Sequence, residues 1–398
     1  MRLTATSVLW FALAAVAAVP SVSAQGINAP PSTAPAPDPS TAPPSNDWHY
    51  GAYADLSYIA NFNFPENHRW RSRTTTERQN EFTPNMGLVY VRKDATESSR
   101  WGGEFGIQGG YDSNNFAFLV NEPKVDGADT LRHFHRANVS YLAPVGNGLT
   151  VTAGLFNSLI GYESLYAKDN FNYTRSWVAD NSPYMMFGVN AKYPINENVT
   201  VAAFVINGYY HLSNPNNQPS YGGQVAWKAS PRVMVTNTLY YGPDQQSTSM
   251  EFWRLYSNNI VEWKSSDEVT LVLSYDIGTE RILNQPGNPR TFAMAGVLEG
   301  RWHVSGPWSV ALRPEFYWDR NGRWTGNEQF VKAVTTTAEY KFPYLWTNTI
   351  VRLEYRYDES TGAQGGFFTR NQNSAGVIAT TPGQQLLLLG ILWSFDSP

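Results

Sequence analysis

The chain contains no cysteine, so neither a disulfide framework nor a thiolate metal site can contribute to its fold or chemistry. Charge is scarce, at 16% of 398 residues. There is no clustered Lys and Arg run of the kind that gives nucleic-acid binders their electrostatic footprint. Beyond the N-terminus no stretch approaches the roughly 18 consecutive apolar residues that a membrane-spanning helix needs. No glycine-rich phosphate loop follows a strand and opens a helix, so nucleotide binding has no support, and nothing in the sequence calls for a cofactor. What the chain has in abundance is aromatic side chains, with 14 Trp, 23 Tyr and 20 Phe. That is more than one soluble core requires.

Residues 1–24 read as a secretory signal peptide. Arg2 supplies the positive start, Val8 to Val19 the apolar stretch, and Val22-Ser23-Ala24 the small-residue cleavage site. Its removal takes away Arg2 and moves the net charge from −4 to −5. A signal anchor is the alternative. Residues 25–47 carry Pro30, Pro31, Pro35, Pro37, Pro39, Pro43 and Pro44 among Ala, Ser and Thr. Too few apolar residues are present to offset the entropy of ordering, so this segment is expected to be a flexible periplasmic spacer. A docking segment for periplasmic partners or the cell wall is the other reading.

From Trp48 onward the pattern has a period of two. Val351, Leu353, Tyr355 and Tyr357 alternate with Arg352, Glu354, Arg356 and Asp358; Trp308, Val310, Leu312, Phe316 and Trp318 oppose Ser309, Arg313, Glu315, Tyr317 and Asp319. Such strands have one apolar face and one face charged with both signs. Counting runs gives about sixteen strands, with fourteen or eighteen as alternatives. Short connections at 144–148, 194–198, 230–231, 265–267, 303–306 and 343–345 alternate with long polar ones at 61–81, 111–131, 157–183, 210–220 and 359–382. Tyr141, Tyr193, Trp227, Trp263, Trp302, Tyr340 and Phe342 gather beside the short turns, where an interfacial girdle belongs. The fold expected over residues 48–398 is an all-β, transmembrane, antiparallel up-and-down β-barrel in a bacterial outer membrane. Closure is required because hydrocarbon leaves no backbone group unpaired.

Several blocks resemble the putative β-barrel porin-2 (OmpL-like) family of Gram-negative outer-membrane proteins. They are Val139 to Thr150 (VSYLAPVGNGLT), Ile160-Gly161-Tyr162-Glu163, Asn172 to Ser176 (NYTRS), and Leu312 to Phe316 (LRPEF) running on to Asp319-Arg320-Asn321-Gly322. The resemblance covers most of the chain after the spacer and implies an outer-membrane channel that is passive or weakly selective. Two features depart from the pattern: Phe395 is followed by Asp396, Ser397 and Pro398 rather than ending the chain, and Leu155 stands where relatives are expected to carry a basic residue.

A barrel this wide cannot be filled by its own wall and leaves an aqueous channel, so transport depends on what narrows it. The 157–183 connection is expected to fold inward as the constriction, with Tyr162, Glu163, Asp169, Tyr173 and Arg175 as its pore residues; an ordinary external loop is the alternative. The lumen wall should present Arg136, Lys192, Arg301, Arg313, Arg352 and Arg356 beside Glu299, Glu315, Glu339, Glu354 and Asp358. Across a narrow slit these charges would set up a transverse field of weak selectivity, or they could instead stiffen the wall as cross-strand ion pairs. Arg69, Arg71, Arg73 and Arg78 in the first long loop read as a solvated face, or as a contact for lipopolysaccharide phosphates or an anion-gathering mouth. His133 and His135, two apart, would share one side of a strand but have no third metal ligand in view.

The function expected is that of a porin for small hydrophilic solutes and ions, with no catalytic residue, metal or cofactor. The alternatives are a sugar-selective channel and, from other classes, a barrel hydrolase or a non-conducting adhesin. Expected partners are membrane lipid, lipopolysaccharide, the permeating solutes and further copies of the chain.

Overall fold

The computed structural model describes residues 48–114, 128–283 and 286–397; the expected signal peptide and spacer lie outside them. Among the described residues eighteen strands follow one another. They are Trp48–Asn61 (β1), Phe82–Lys93 (β2), Trp101–Gly109 (β3), Phe134–Ala143 (β4), Leu149–Asn157 (β5), Met185–Pro194 (β6), Val199–Ile206 (β7), Ser220–Ser230 (β8), Val233–Pro243 (β9), Trp253–Lys264 (β10), Val269–Arg281 (β11), Arg290–Ser305 (β12), Trp308–Asp319 (β13), Gln329–Tyr344 (β14), Thr347–Thr361 (β15), Phe367–Gln372 (β16), Ile378–Thr381 (β17) and Gly383–Asp396 (β18). Sixteen of them form one closed antiparallel barrel in which each strand pairs with its sequence neighbour and β18 joins β15 to β1. The remaining two, β16 and β17, make a small hairpin inside the last long connection. Among the described residues no helix is long and apolar enough to cross a membrane.

The burial pattern reverses that of a soluble protein. Trp101, Phe105, Val139, Leu273, Leu312, Leu353 and Leu389 are exposed on the outer surface, while Arg254, Arg313, Glu354 and Asp358 are buried inside. Strand alternation puts every second side chain outward, and a lipid solvent makes that greasy outer face the stable one. Near the short turns the outer aromatics pack in tilted pairs, Trp101 against Tyr141 at 4.7 Å and Tyr340 against Phe342 at 4.3 Å between centroids. Gly146 and Gly148 form the β4–β5 turn with φ of 54° and 95°, values that residues with a Cβ seldom adopt.

Asp396 and Ser397 continue the closure. Ser397 donates its backbone N–H to the Tyr50 carbonyl at 2.9 Å, Tyr50 N–H donates to Ser397 Oγ at 3.0 Å, and Tyr90 Oη donates to Asp396 at 2.7 Å. The wall is uneven in height. β3 to β7 have 8 to 10 residues, whereas β12 and β14 have 16.

Because the outer face meets hydrocarbon, replacing Leu273, which sits between Val261 and Leu298 on the neighbouring strands, with Arg should destabilise the barrel by about 2–4 kcal/mol. The same charge at lumen-facing Thr236 should cost far less. Denaturant titration of the protein folded into lipid vesicles measures both.

Candidate functional site

The inside of the barrel is occupied by loops, many of whose polar groups bond to the wall. Residues 158–184, after β5, cross the lumen to β13, β14 and β15. Glu354 on β15 takes the backbone N–H of Tyr173 at 2.6 Å and of Thr174 at 3.0 Å, the Thr174 hydroxyl at 2.5 Å and the Thr337 hydroxyl at 2.6 Å. Glu315 accepts Trp177 N–H at 2.5 Å, and Asp358 accepts the Trp177 indole N–H at 2.8 Å. Arg352 donates to the carbonyls of Ala167, Asn170 and Asn172 at 2.7, 2.7 and 2.9 Å. A short helix, Trp177–Asp180 (α2; α1 is Ala128–Leu131), follows, with Ser176 Oγ capping Ala179 N–H at 3.1 Å. The Tyr173 ring lies on Gly390 of β18; a Cβ there would be 2.4 Å from the ring, so only glycine admits this approach.

This geometry differs from an open slit with charges facing each other across water. Arg313, Arg352 and Arg356 are at most 1% exposed. Arg313 pairs with Glu163 of the loop at 2.7 Å and with Glu315 at 3.5 Å; Arg356 pairs with Glu315 at 2.9 Å and Asp358 at 2.8 Å; Glu339 bridges Arg352 at 2.7 Å and Arg301 at 2.6 Å. The wall charges therefore hold the loop and one another. Tyr173 and Arg175 are fully buried and Glu163 is paired, while the Asp169 side chain is 45% exposed with Lys168 beside it at 2.9 Å. Tyr162 is half-buried against Phe171. Glu299 is buried, Lys192 is exposed, and Arg136 lies under Tyr166. Leu155 is enclosed in the apolar cluster with Phe156 and Met186.

The first long connection also turns inward. Arg73 is buried between the rings of Trp70 and Trp177, at 4.7 and 5.2 Å, pairs with Asp180 at 2.7 Å and donates to the Arg175 carbonyl at 2.6 Å. Arg71 donates to the carbonyls of Gln364 and Gly366, Arg69 pairs with Glu77 at 2.7 Å and Arg78 with Glu81 at 2.5 Å. The stretch is thus a set of occupied cations, with only Arg69 largely in water. Its polar composition imitates a solvated loop, because a loop packed against a polar wall needs the same residues.

Two further sets carry no sequence motif. Arg175 pairs with Asp112 at 3.1 Å, and Thr76 N–H donates to Asp112 at 2.6 Å. Arg254 is ringed by Tyr209, Tyr210 and Trp324 and pairs with Asp244 at 2.9 Å and Glu280 at 2.7 Å. Strand alternation marks Arg254 as inward and places Glu280 opposite it on β11; Asp244 and the three rings come from connections that periodicity cannot register. The two histidines are not together: His133 precedes β4 and is exposed, while His135 is buried between Glu104 at 3.1 Å and the Tyr166 hydroxyl at 2.6 Å. Among the described residues no three His, Asp or Glu converge as a metal site.

With this geometry in view, comparison with known proteins gives a consistent result. The sequence matches the family described as "Putative beta-barrel porin-2, OmpL-like" over residues 48–395. No curated protein matches it. Among solved structures, OmpF of Salmonella typhi in complex with daunomycin superposes with a TM-score of 0.54 at 11% identity, covering 88% of this chain and 97% of that one. The trimer form of OmpT of Vibrio cholerae gives 0.53 at 11% identity over 88% and 98%. The channel DcaP of Acinetobacter baumannii gives 0.52 at 10% identity over 88% and 96%. A closed sixteen-stranded barrel with a lipid-facing exterior and a polar, loop-narrowed interior is an outer-membrane porin. This chain belongs to the β-barrel porin-2, OmpL-like family and is a multi-pass barrel of the outer membrane.

Burial pushes the Asp112 carboxyl up to about 7, against the pull of Arg175. Its folded value lies above its unfolded one, so the stability it contributes is present at low pH and is lost as pH rises through about 7. Between pH 8 and 5 the 70–80 and 172–180 segments should become better protected from backbone hydrogen exchange, and Asp112→Asn should flatten that dependence.

Proposed function

We propose that the chain is a passive diffusion channel for small hydrophilic solutes and ions, and that the 158–184 loop is its constriction. The observation that carries this reading is the clamp of Tyr173 and Thr174 on Glu354, which holds a polar loop across the lumen from the strand it leaves. In this reading the expected pore residues divide by task. Asp169 and Tyr162, with Lys168, meet the permeating solute. Glu163, Tyr173 and Arg175 are anchors that fix the loop, as are Arg313, Glu315, Glu354, Arg356 and Asp358 on the wall. Arg352 does the same by holding three loop carbonyls. No step of covalent chemistry is invoked, and a charged loop fixed by charged hydrogen bonds of about 1.5–3 kcal/mol each gives a static gate rather than a mobile one.

Oligomerisation is supported by the low wall. Transmembrane strands need about 9–11 residues, which β7 with 8 falls short of and β3 to β6 only just meet. Packing this wall against further copies would shield it, in keeping with the trimer form recorded for OmpT. Crosslinking in native membranes should give a discrete ladder of the chain with itself, and a bulky charged substitution at outward-facing Val139 should abolish it.

The constriction is tested in planar lipid bilayers. Replacing residues 164–171 with a short Gly-Ser linker should raise single-channel conductance and admit larger sugars in liposome swelling. Conductance and solute cut-off identical to the parent would place the eyelet elsewhere. Charge reversal at Asp169 should shift the ratio of cation to anion permeability, whereas Glu163→Lys should chiefly unsettle the loop and add current noise.

A further inference from the structure

Five successive strands that run toward the short turns, β6, β8, β10, β12 and β14, end on a common pattern of one aromatic beside one cation. The pairs are Lys192-Tyr193, Trp227-Lys228, Trp263-Lys264, Arg301-Trp302 and Tyr340-Lys341. Alternation sends the two members to opposite faces. Trp227, Trp263 and Trp302 are exposed on the outside in line with Val225, Val261 and Leu298. Lys228 shares its face with Gln224, whose amide reaches the Leu159 carbonyl inside the barrel at 2.7 Å. Lys264 shares its face with Asn258, bonded to Asp276 at 2.7 Å. Lys341 and Arg301 line one cavity of about 320 Å³ with His303, Ser309 and Glu339.

The strand register brings these cations to one level. Followed across the ladders, Lys192 meets Gln224, Lys228 meets Glu262, Lys264 meets Arg301, and Arg301 meets Thr337. The next cation therefore lies 4 residues (228 − 224), 2 (264 − 262), 0 and 4 (341 − 337) further along. No offset runs backward, which is the stagger that tilted strands impose on groups sharing a height.

Unlike the mid-barrel arginines, the four lysines are exposed and have no side-chain hydrogen bond or ion pair among the described residues. Of the acids of the same region, Glu339 is shared by Arg301 and Arg352 and Asp267 pairs with Arg232 at 3.3 Å, which leaves Glu262 on the wall at this level against the four lysines. Glu197 and Glu268 lie in the turns below.

We propose that this half-ring of Lys192, Lys228, Lys264, Lys341 and Arg301 makes the periplasmic vestibule electropositive and gives the channel a preference for small anions, inorganic ions and short carboxylates alike. It rests on the diffusion-channel reading and adds the residues that set selectivity. Like charges on a low-dielectric wall focus their field into the water between them. That field reaches about 10 Å at 0.1 M salt but only about 3 Å at 1 M, so the preference belongs to dilute salt. Because the ring stands at one mouth, current should also rectify.

The test uses the full chain in planar bilayers under a KCl gradient around 0.1 M. The reversal potential of the parent should report chloride over potassium. The combined variant Lys192→Gln, Lys228→Gln, Lys264→Gln, Lys341→Gln should lose most of that preference and its rectification. The corresponding four Lys→Arg changes should keep both, and parent and Gln variant should converge near 1 M. Heat-modifiable migration checks that each variant has folded. A parent that is unselective or prefers potassium, or a folded Gln variant with the parent's ratio, would overturn this inference while leaving the channel reading intact. A folded parent with no conductance at all would overturn both.

Discussion

The antiparallel ladder between β1 and β18 is the contact on which the rest of the molecule depends. It joins residue 51 to residue 396 through eleven matched positions, and without it both strands would present unpaired N–H and C=O groups to hydrocarbon, at several kcal/mol for each group. Closure has a second effect that is mechanical. The inner face of β18 has an apolar stretch, with Leu386, Leu388 and Leu392 buried, and its Gly390 receives the Tyr173 ring. The seam that seals the tube is thus also the floor on which the inner loop rests. Asp396 and Ser397 extend it beyond the terminal aromatic, so those last residues add to the seam instead of hanging free of it.

Charge inside the barrel is arranged by a single rule. Where the lumen is packed, each cation is matched by a carboxylate or by backbone carbonyls: Arg73 with Asp180, Arg175 with the Leu165 and Tyr173 carbonyls, Arg254 with Asp244 and Glu280, Arg313 with Glu163. Removing one partner from such a buried pair leaves a stranded charge and costs about 3–5 kcal/mol, so these groups fix loops far better than they attract ions. At the level of the short turns Lys192, Lys228, Lys264 and Lys341 have no ion pair among the described residues. The paired arginines and the unpaired lysines therefore occupy different heights of the tube, and near-balance in the whole-chain count conceals a local imbalance.

How much of this the sequence discloses follows from what periodicity can see. All sixteen barrel strands are legible because a lipid-facing wall must repeat apolar residues at every second position, and strand ends such as Leu149–Asn157 fall on turn residues. The hairpin β16–β17 is not, since Phe367–Gln372 is short, polar and outside the wall. The same limit governs the site. Alternation identifies Arg313, Glu354 and Arg356 as inward, but it assigns them to water, because the atoms that cover them belong to loop residues more than a hundred positions away. Thr74, Thr75 and Thr76 look solvated for the same reason: a threonine that bonds to a carboxylate within the barrel has the composition of one that bonds to water.

The aromatic girdle shows the converse case, a signal that is present but divided between two readings. Tyr193, Trp227, Trp263, Trp302 and Tyr340 are recognisable as interfacial because they flank short turns. Each has a Lys or Arg as its immediate neighbour, and on a strand an immediate neighbour is the residue on the opposite face. A lipid anchor on five successive downward strands thereby fixes five lumen positions at one level through nothing more than the pleat. In a barrel wall one residue thick, the girdle and the vestibule are two sides of the same ring.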